Sequence, residues 1–195
     1  MYCRNGKYAV KSGYHVARML AEDTNGREES SEQRANIRVW TQILKLRVPS
    51  KIKIFGWLAC LNILPSKVNL VRRQILTEGK CGLCRRCPES VIHAIWECSV
   101  AQDVWAGSTA RIHKCGGEKD DFLQLFKFMM TKLSVEDLEA FLVQCWLIWH
   151  CRNSLLHGGT MQHPGQLNQR ATDFLREYRD APSSLAASSV LLVIM

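Results

Sequence analysis

The sequence predicts a mainly α-helical fold: a small helical module, opened by a short strand-like segment and followed by a C-terminal helical region. Three observations predict it. Apolar residues recur at helical spacing through most of the chain. Pro49 and Pro65 stand where one helix must stop and the next can start. Residues 81–98, CGLCRRCPESVIHAIWEC, gather cysteines and a histidine at metal-ligand spacing, the kind of staple a small module uses in place of a large core.

In chain order, residues 7–11 read as a short strand with Tyr8 and Val10 on one face. Ser12 can cap a helix running to about residue 21, and the polar stretch 22–33, with Asn25-Gly26, reads as a loop. From Asn36 a helix places Ile37, Trp40 and Leu44 on one face, with Val39 and Ile43 beside them. Residues 50–62 form the next, with Phe55, Leu58 and Leu61 inward. Ser66 can cap a third over residues 67–76, with Val68, Val71 and Ile75 apolar and Arg72 and Arg73 outward. Beyond the cysteine cluster, SVAQDVW reads as a turn or two of helix and FLQLFKFMMTKL as an apolar helix. Ser134 and Asp137 resemble a capping box that opens a helix striped by Leu138, Leu142, Cys145 and Trp149, with Phe141 and Ile148 beside. The last helix aligns Leu167, Ala171, Phe174 and Tyr178.

Composition narrows the class. The chain has 195 residues, 47% hydrophobic and 23% charged, which reads as globular and as one ordinary domain or two small ones. Its 9 cysteines are an odd number, and no signal-type apolar run opens the chain. Both point to a reducing, intracellular setting, nucleus or cytoplasm, and away from secretion. The apolar run 185–195 carries two serines and falls short of the ~20 residues a membrane helix needs. It is read as a disordered tail over 181–195, with no membrane partner. The net charge is +8, yet residues 34–86 hold 12 basic residues against the single acid Glu78. A block of one sign this dense points to a polyanionic partner, most simply RNA or single-stranded DNA. Lys51, Lys53, Arg72, Arg73, Arg85 and Arg86 are the phosphate-contact candidates. The bland alternative is a solvated basic surface. Trp40, Trp57, Trp96 and Trp105 could stack on bases, but their apolar neighbours favour core packing.

Two metal half-sites overlap in the cluster. Cys81-x2-Cys84 and Cys84-x2-Cys87 can each turn two thiolates onto one ion, and His93-x4-Cys98 supplies the other half. A straight α-helix through that second half would leave its two side chains ~140° apart, so one of them must sit at a helix end or in a turn. Pro88 restricts the backbone of Cys87 and disfavours it as the closing residue of a knuckle. The set Cys81, Cys84, His93 and Cys98 is therefore preferred, with Cys87 the alternate in place of Cys81. Four protein ligands make one structural Zn2+ site, since a catalytic zinc keeps a position open. No enzyme is expected. The pair Asp120-Asp121 lacks the surroundings of a polymerase turn, and Cys151 with His157 lacks an orienting third group.

NGKYAVKSGY (residues 5–14) resembles the G-x-Y-S-V-K-S-G-Y opening of the reverse-transcriptase zinc-binding domain of plant LINE-type non-LTR retrotransposons. LKLRVPSKIKIFGWLACLNILPSKVNLVRRQI (residues 44–75) resembles its W-K-x-K-V-P-x-K-I-K-x-F-x-W signature, and the cysteine cluster with Val104-Trp105 completes the pattern. WLIWHCRNSLLHGG (residues 146–159) resembles the W-x-I-W-x-x-R-N segment that precedes an RNase H-like domain in these polyproteins. The resemblance implies that Cys81, Cys84, His93 and Cys98 are the ligands. It also implies a module beside a polymerase domain that helps hold template or product, so a polymerase or another protein is a second class of partner. Leu44 and Gly56 depart from the family pattern, and Cys87 is extra. The expected organisation is a zinc-binding domain over 5–106, a loop over 107–121, a helical linker region over 122–180 and the tail. The competing readings are a zinc-stabilised protein-interaction module and a decayed element fragment.

Overall fold

This computed structural model of the protein describes residues 31–108, 112, 119–156, 158–159 and 163–181. The expected strand at 7–11, the helix to residue 21 and the tail at 182–195 lie outside them. The fold is mainly α, and no strand occurs among the described residues. The chain divides into two compact units, Met1–Gln42 and Ile43–Met195.

In the first unit the described residues are the opening turns of helix α1, Ser31–Lys45. The helix starts before Asn36, where the sequence placed it, because no Gly or Pro interrupts Ser-Glu-Gln-Arg-Ala ahead of it. Val39 is buried while Ile37 is exposed, so the inward face differs from the expected one. In the second unit, Ile43 in the last turn of α1 and Leu46 just past its end are buried, and Leu44 is 57% exposed.

The second unit holds the remaining elements. Helix α2, Ser50–Cys60, starts behind Pro49, whose carbonyl accepts the Ile52 and Lys53 amides. It buries Ile52, Phe55, Gly56, Ala59 and Cys60, and leaves Leu61, expected inward, exposed beyond its end. Asn62 turns the chain with φ 54°. Helix α3, Lys67–Arg72, is capped by Ser66, which accepts the Asn69 amide. Buried Asn69 donates to the carbonyls of Asn62 and Leu64 and so locks the α2–α3 turn. The helix stops short of residue 76 because Gln74 takes φ 59°, and the Ile75 amide folds back to the Leu70 carbonyl. Ile75 is consequently exposed.

A π-helical turn, His93–Glu97, leads into helix α4, Ser99–Ala106. Helix α5, Phe122–Lys132, is capped by Asp121. Helix α6, Val135–Leu156, is opened by Ser134, which accepts the Asp137 amide and donates to its carboxylate. Helix α7, Pro164–Asp180, follows a His163 cap. Helix α6 is the central element: it packs against α2, the π turn and α7. Its expected stripe is buried as read, and Val143 and Leu147 are buried too, so the middle of this helix is covered nearly all round. On α7 the core residues are Leu167, Ala171 and Leu175, while Phe174 and Tyr178 are half-buried. Trp96, Trp105 and Phe141 form one aromatic cluster with centroid separations of 5.0, 5.4 and 6.2 Å. Trp105 also donates its indole N–H to the Ile95 carbonyl. These rings fasten the end of the cysteine cluster to α6.

Candidate metal centre

The cysteine loop is closed by backbone pairing. Lys80 and Pro88 form an isolated antiparallel bridge. The Cys81 amide donates to the Cys87 carbonyl, and the Glu89 amide donates to the Gly79 carbonyl. Inside the loop the Arg85 amide reaches back to the Cys81 carbonyl, and Arg85 itself sits at φ 57°. That left-handed residue after Cys84 bends the chain so that the amides of Arg86 and Cys87 point at the Cys84 sulfur. They hold its thiol down at about 6, well below the ordinary thiol value. Burial instead pushes the Cys98 thiol up to about 11, against a hydrogen bond from the Val100 amide.

His93 and Cys98 come together through the π turn. The Cys98 amide donates to the His93 carbonyl at 2.9 Å, an i→i+5 bond that widens one turn and carries residue 98 back over residue 93. Cys98 then leaves the helical region at ψ 135° and starts α4. The Ser90 hydroxyl accepts the His93 amide at 3.0 Å. A single widened turn therefore removes the ~140° divergence that a straight helix would impose.

The donor atoms of Cys81, Cys84, His93 and Cys98 all lie within 4.8 Å of one another. The sulfurs of Cys81 and Cys98 are 3.9 Å apart, and the Cys84 sulfur lies 3.3 Å from His93 Nε2. A tetrahedron with Zn–S of about 2.3 Å and Zn–N of about 2.0 Å has edges of about 3.8 and 3.5 Å, so the donor set fits one zinc ion. His93 Nδ1 faces a Glu97 carboxylate oxygen at 4.0 Å, leaving Nε2 as the ring atom on the cluster. Cys81, His93 and Cys98 are buried, and Cys84 is half-buried. Cys87 is exposed and contributes its carbonyl, with its sulfur outside the group of four.

The description "zinc-binding in reverse transcriptase" belongs to a family whose model matches residues 8–105. The chain belongs to this family. As a reverse-transcriptase zinc-binding domain it carries a cluster able to hold one metal ion, and zinc is the ion of the family. A protein of Arabidopsis thaliana, provisionally named a ribonuclease H protein, is 23% identical over 161 residues that cover 80% of this chain and 24% of that protein. The chain thus spans about a quarter of that relative's length. No solved structure matches the chain.

The basic candidates of this reverse-transcriptase zinc-binding domain fall into two groups. Lys51 reaches over the Trp146 ring at 4.8 Å and the Phe174 ring at 5.5 Å. Lys53 donates to the Leu44 carbonyl at 2.7 Å, and burial lowers its pKa against the opposing field of Glu139. Both thus brace α2 against neighbouring elements. Arg72, Arg73, Arg85 and Arg86 are exposed, as is Lys51 outside its ring contacts. Arg73 also donates to the Ile63 carbonyl at 2.9 Å.

Three charged residues escaped the sequence reading. Glu89 is fully buried, accepts the Lys67 amide at 2.9 Å and pairs with Arg152. Glu139 is buried, accepts the Arg47 amide at 2.6 Å and pairs with Arg179 at 2.5 Å. For Arg152 a signal was present: it continues the α6 row Leu138, Leu142, Cys145, Trp149 by one further step of three residues. A charge on a core row marks a buried pair.

Proposed function

We propose that this protein is a non-catalytic, zinc-stapled module that binds RNA or single-stranded DNA through exposed arginines, with Cys81, Cys84, His93 and Cys98 as the zinc ligands. The observation that carries the reading is the convergence of three sulfurs and one imidazole nitrogen within 4.8 Å, in a loop that exposes Arg85 and Arg86. Four protein donors leave no open position for water or substrate, which supports a structural ion and argues against catalysis at it. Arg72 and Arg73 extend the basic surface at the end of α3. The matched family and the relative's name, reverse transcriptase and ribonuclease H, both concern nucleic acid. We take residues 5–106 as the zinc-binding domain and 122–180 as a helical region that follows it, in a chain that worked beside a polymerase domain. An intracellular place, nucleus or cytoplasm, goes with that role. Among the described residues no helix is long and apolar enough to cross a membrane.

Binding of this kind is electrostatic. With all four arginines engaged on a single strand, log affinity should fall against log salt with a slope of about −3. Filter binding or fluorescence anisotropy with RNA and single-stranded DNA measures it. Reversing Arg72, Arg85 and Arg86 to Glu should abolish binding without changing the helical circular dichroism; retention by the reversed variant would contradict the reading.

A protein-interaction module is the second reading, and it has its own observation. Leu61, Ile63, Ile75 and Leu76 are 41%, 42%, 63% and 40% exposed around the α2–α3 turn and the end of α3. Ile75→Asp with Leu76→Asp should leave nucleic-acid binding intact under the first reading.

A further inference from the structure

Arg152 lies 47 residues beyond the end of the family match, on α6, yet it reaches the loop that carries the cysteine pair. Among the described residues it is the one buried arginine or lysine, with 2% of its side chain exposed. Its partner Glu89 ties four things together. The Glu89 amide holds the Gly79 carbonyl at 2.7 Å and its own carbonyl accepts the Val68 amide at 3.1 Å. One carboxylate oxygen accepts the Lys67 amide at 2.9 Å, and the other faces Arg152. The loop 79–89 and the start of α3 are thus pinned to one residue, and the carboxylate of that residue is pinned to α6. The Arg152 guanidinium also stacks 5.3 Å over the Trp149 ring. Burial lowers its pKa to about 10.

Three thiolates and one neutral imidazole around a divalent ion carry a net charge of −1. Three of the four donor residues are buried, so that charge is poorly solvated. Arg85 and Arg86, the cations nearest in sequence, are exposed and leave it uncompensated from the inside. We infer that Arg152 is a positioning residue for the metal centre: a buried cation paired with Glu89, the residue that closes the cysteine loop, it fixes the loop that presents Cys81 and Cys84. This rests on the four residues being the ligands. It makes the metal site depend on a helix outside the matched family segment.

The test is cobalt titration of the full chain, reading thiolate-to-cobalt charge-transfer and d–d absorption, with zinc affinity taken by competition against a chromophoric chelator. The unaltered chain should take one Co2+ in a tetrahedral, thiolate-rich site; failure there sinks the ligand assignment itself. Arg152→Met should weaken apparent zinc affinity about tenfold to a hundredfold, the range for lost outer-shell partners, and Arg152→Lys should recover most of it. Glu89→Gln with Arg152→Met removes the unpaired buried charge, so it should fold better than Arg152→Met alone while still binding zinc weakly. A core variant matched for lost stability, Leu175→Ala in α7, should keep the affinity of the unaltered chain. The inference is overturned if either Arg152→Met variant binds zinc as tightly as the unaltered chain, or if Leu175→Ala weakens binding equally.

Discussion

At Gly56 two physical demands conflict. A glycine inside a helix costs about 1 kcal/mol against alanine, and from sequence alone the departure from the family pattern reads as that loss. In the fold, a Cβ at residue 56 would sit 2.9 Å from Leu142 Cδ1 and 3.3 Å from its Cδ2. Leu142 is fully buried on α6, so it has little room to yield. Gly56→Ala should therefore lower Tm despite the better helix propensity, with overpacking of about 1–3 kcal/mol outweighing the gain. Pairing it with Leu142→Val should recover part of the loss in a thermal melt. Arg85 poses the opposite case. Its φ of 57° costs a non-glycine residue roughly 1 kcal/mol, and its side chain is exposed. Arg85→Gly should raise Tm of the metal-loaded protein slightly while weakening nucleic-acid binding, a separation that melts and anisotropy on one variant can check. At this scale the four clustering residues were legible because Cys and His spacing is a strong constraint. The inward face of α1 was not: Ile37, Trp40 and Leu44 fit a helical row as well as Val39 and Ile43 do, and periodicity alone does not choose between them.

Helix-scale reading worked where caps and prolines mark boundaries. Ser66 and Ser134 each accept the amide three residues on, and Pro49 precedes α2 directly. It failed where the boundary is set by a left-handed residue that is not glycine, as at Gln74. The π turn was legible only as a contradiction. The spacing His93-x4-Cys98 could not lie on one face of an α-helix, and an i→i+5 bond is the solution the chain adopts. A second element-scale consequence concerns α6. Trp96 and Trp105 stand against Phe141 of that helix, and removing such buried aromatic contacts costs about 3–5 kcal/mol each. A chain cut after Ala106 should lose its cooperative thermal transition and its near-ultraviolet circular dichroism even with zinc present. A sharp transition in the cut chain would mean that the cysteine module folds without α6.

Across the whole molecule, basic side chains divide between those engaged by their own chain and those that face solvent, in a way that composition could not reveal. The basic block at 34–86 counts Lys51 and Lys53 equally with Arg85 and Arg86, yet the first two hold a ring and a carbonyl of their own chain. A count of positive residues therefore overstates the surface offered to phosphate, and the salt dependence should be shallower than the block's net charge of +11 implies. The mainly α class was legible because periodicity repeats over many turns. Arg152 shows on the α6 core row, but its partner Glu89 and the pair of buried Glu139 with exposed Arg179 were not legible, because partners that distant in sequence leave no periodic trace of each other. Zinc K-edge X-ray absorption on the purified chain, with metal content measured on the same sample, tests the central claim most directly. One zinc per molecule, with three sulfurs at about 2.3 Å and one nitrogen at about 2.0 Å, is the predicted result. A chain that folds without zinc, or a zinc shell with fewer than three sulfurs, would contradict it.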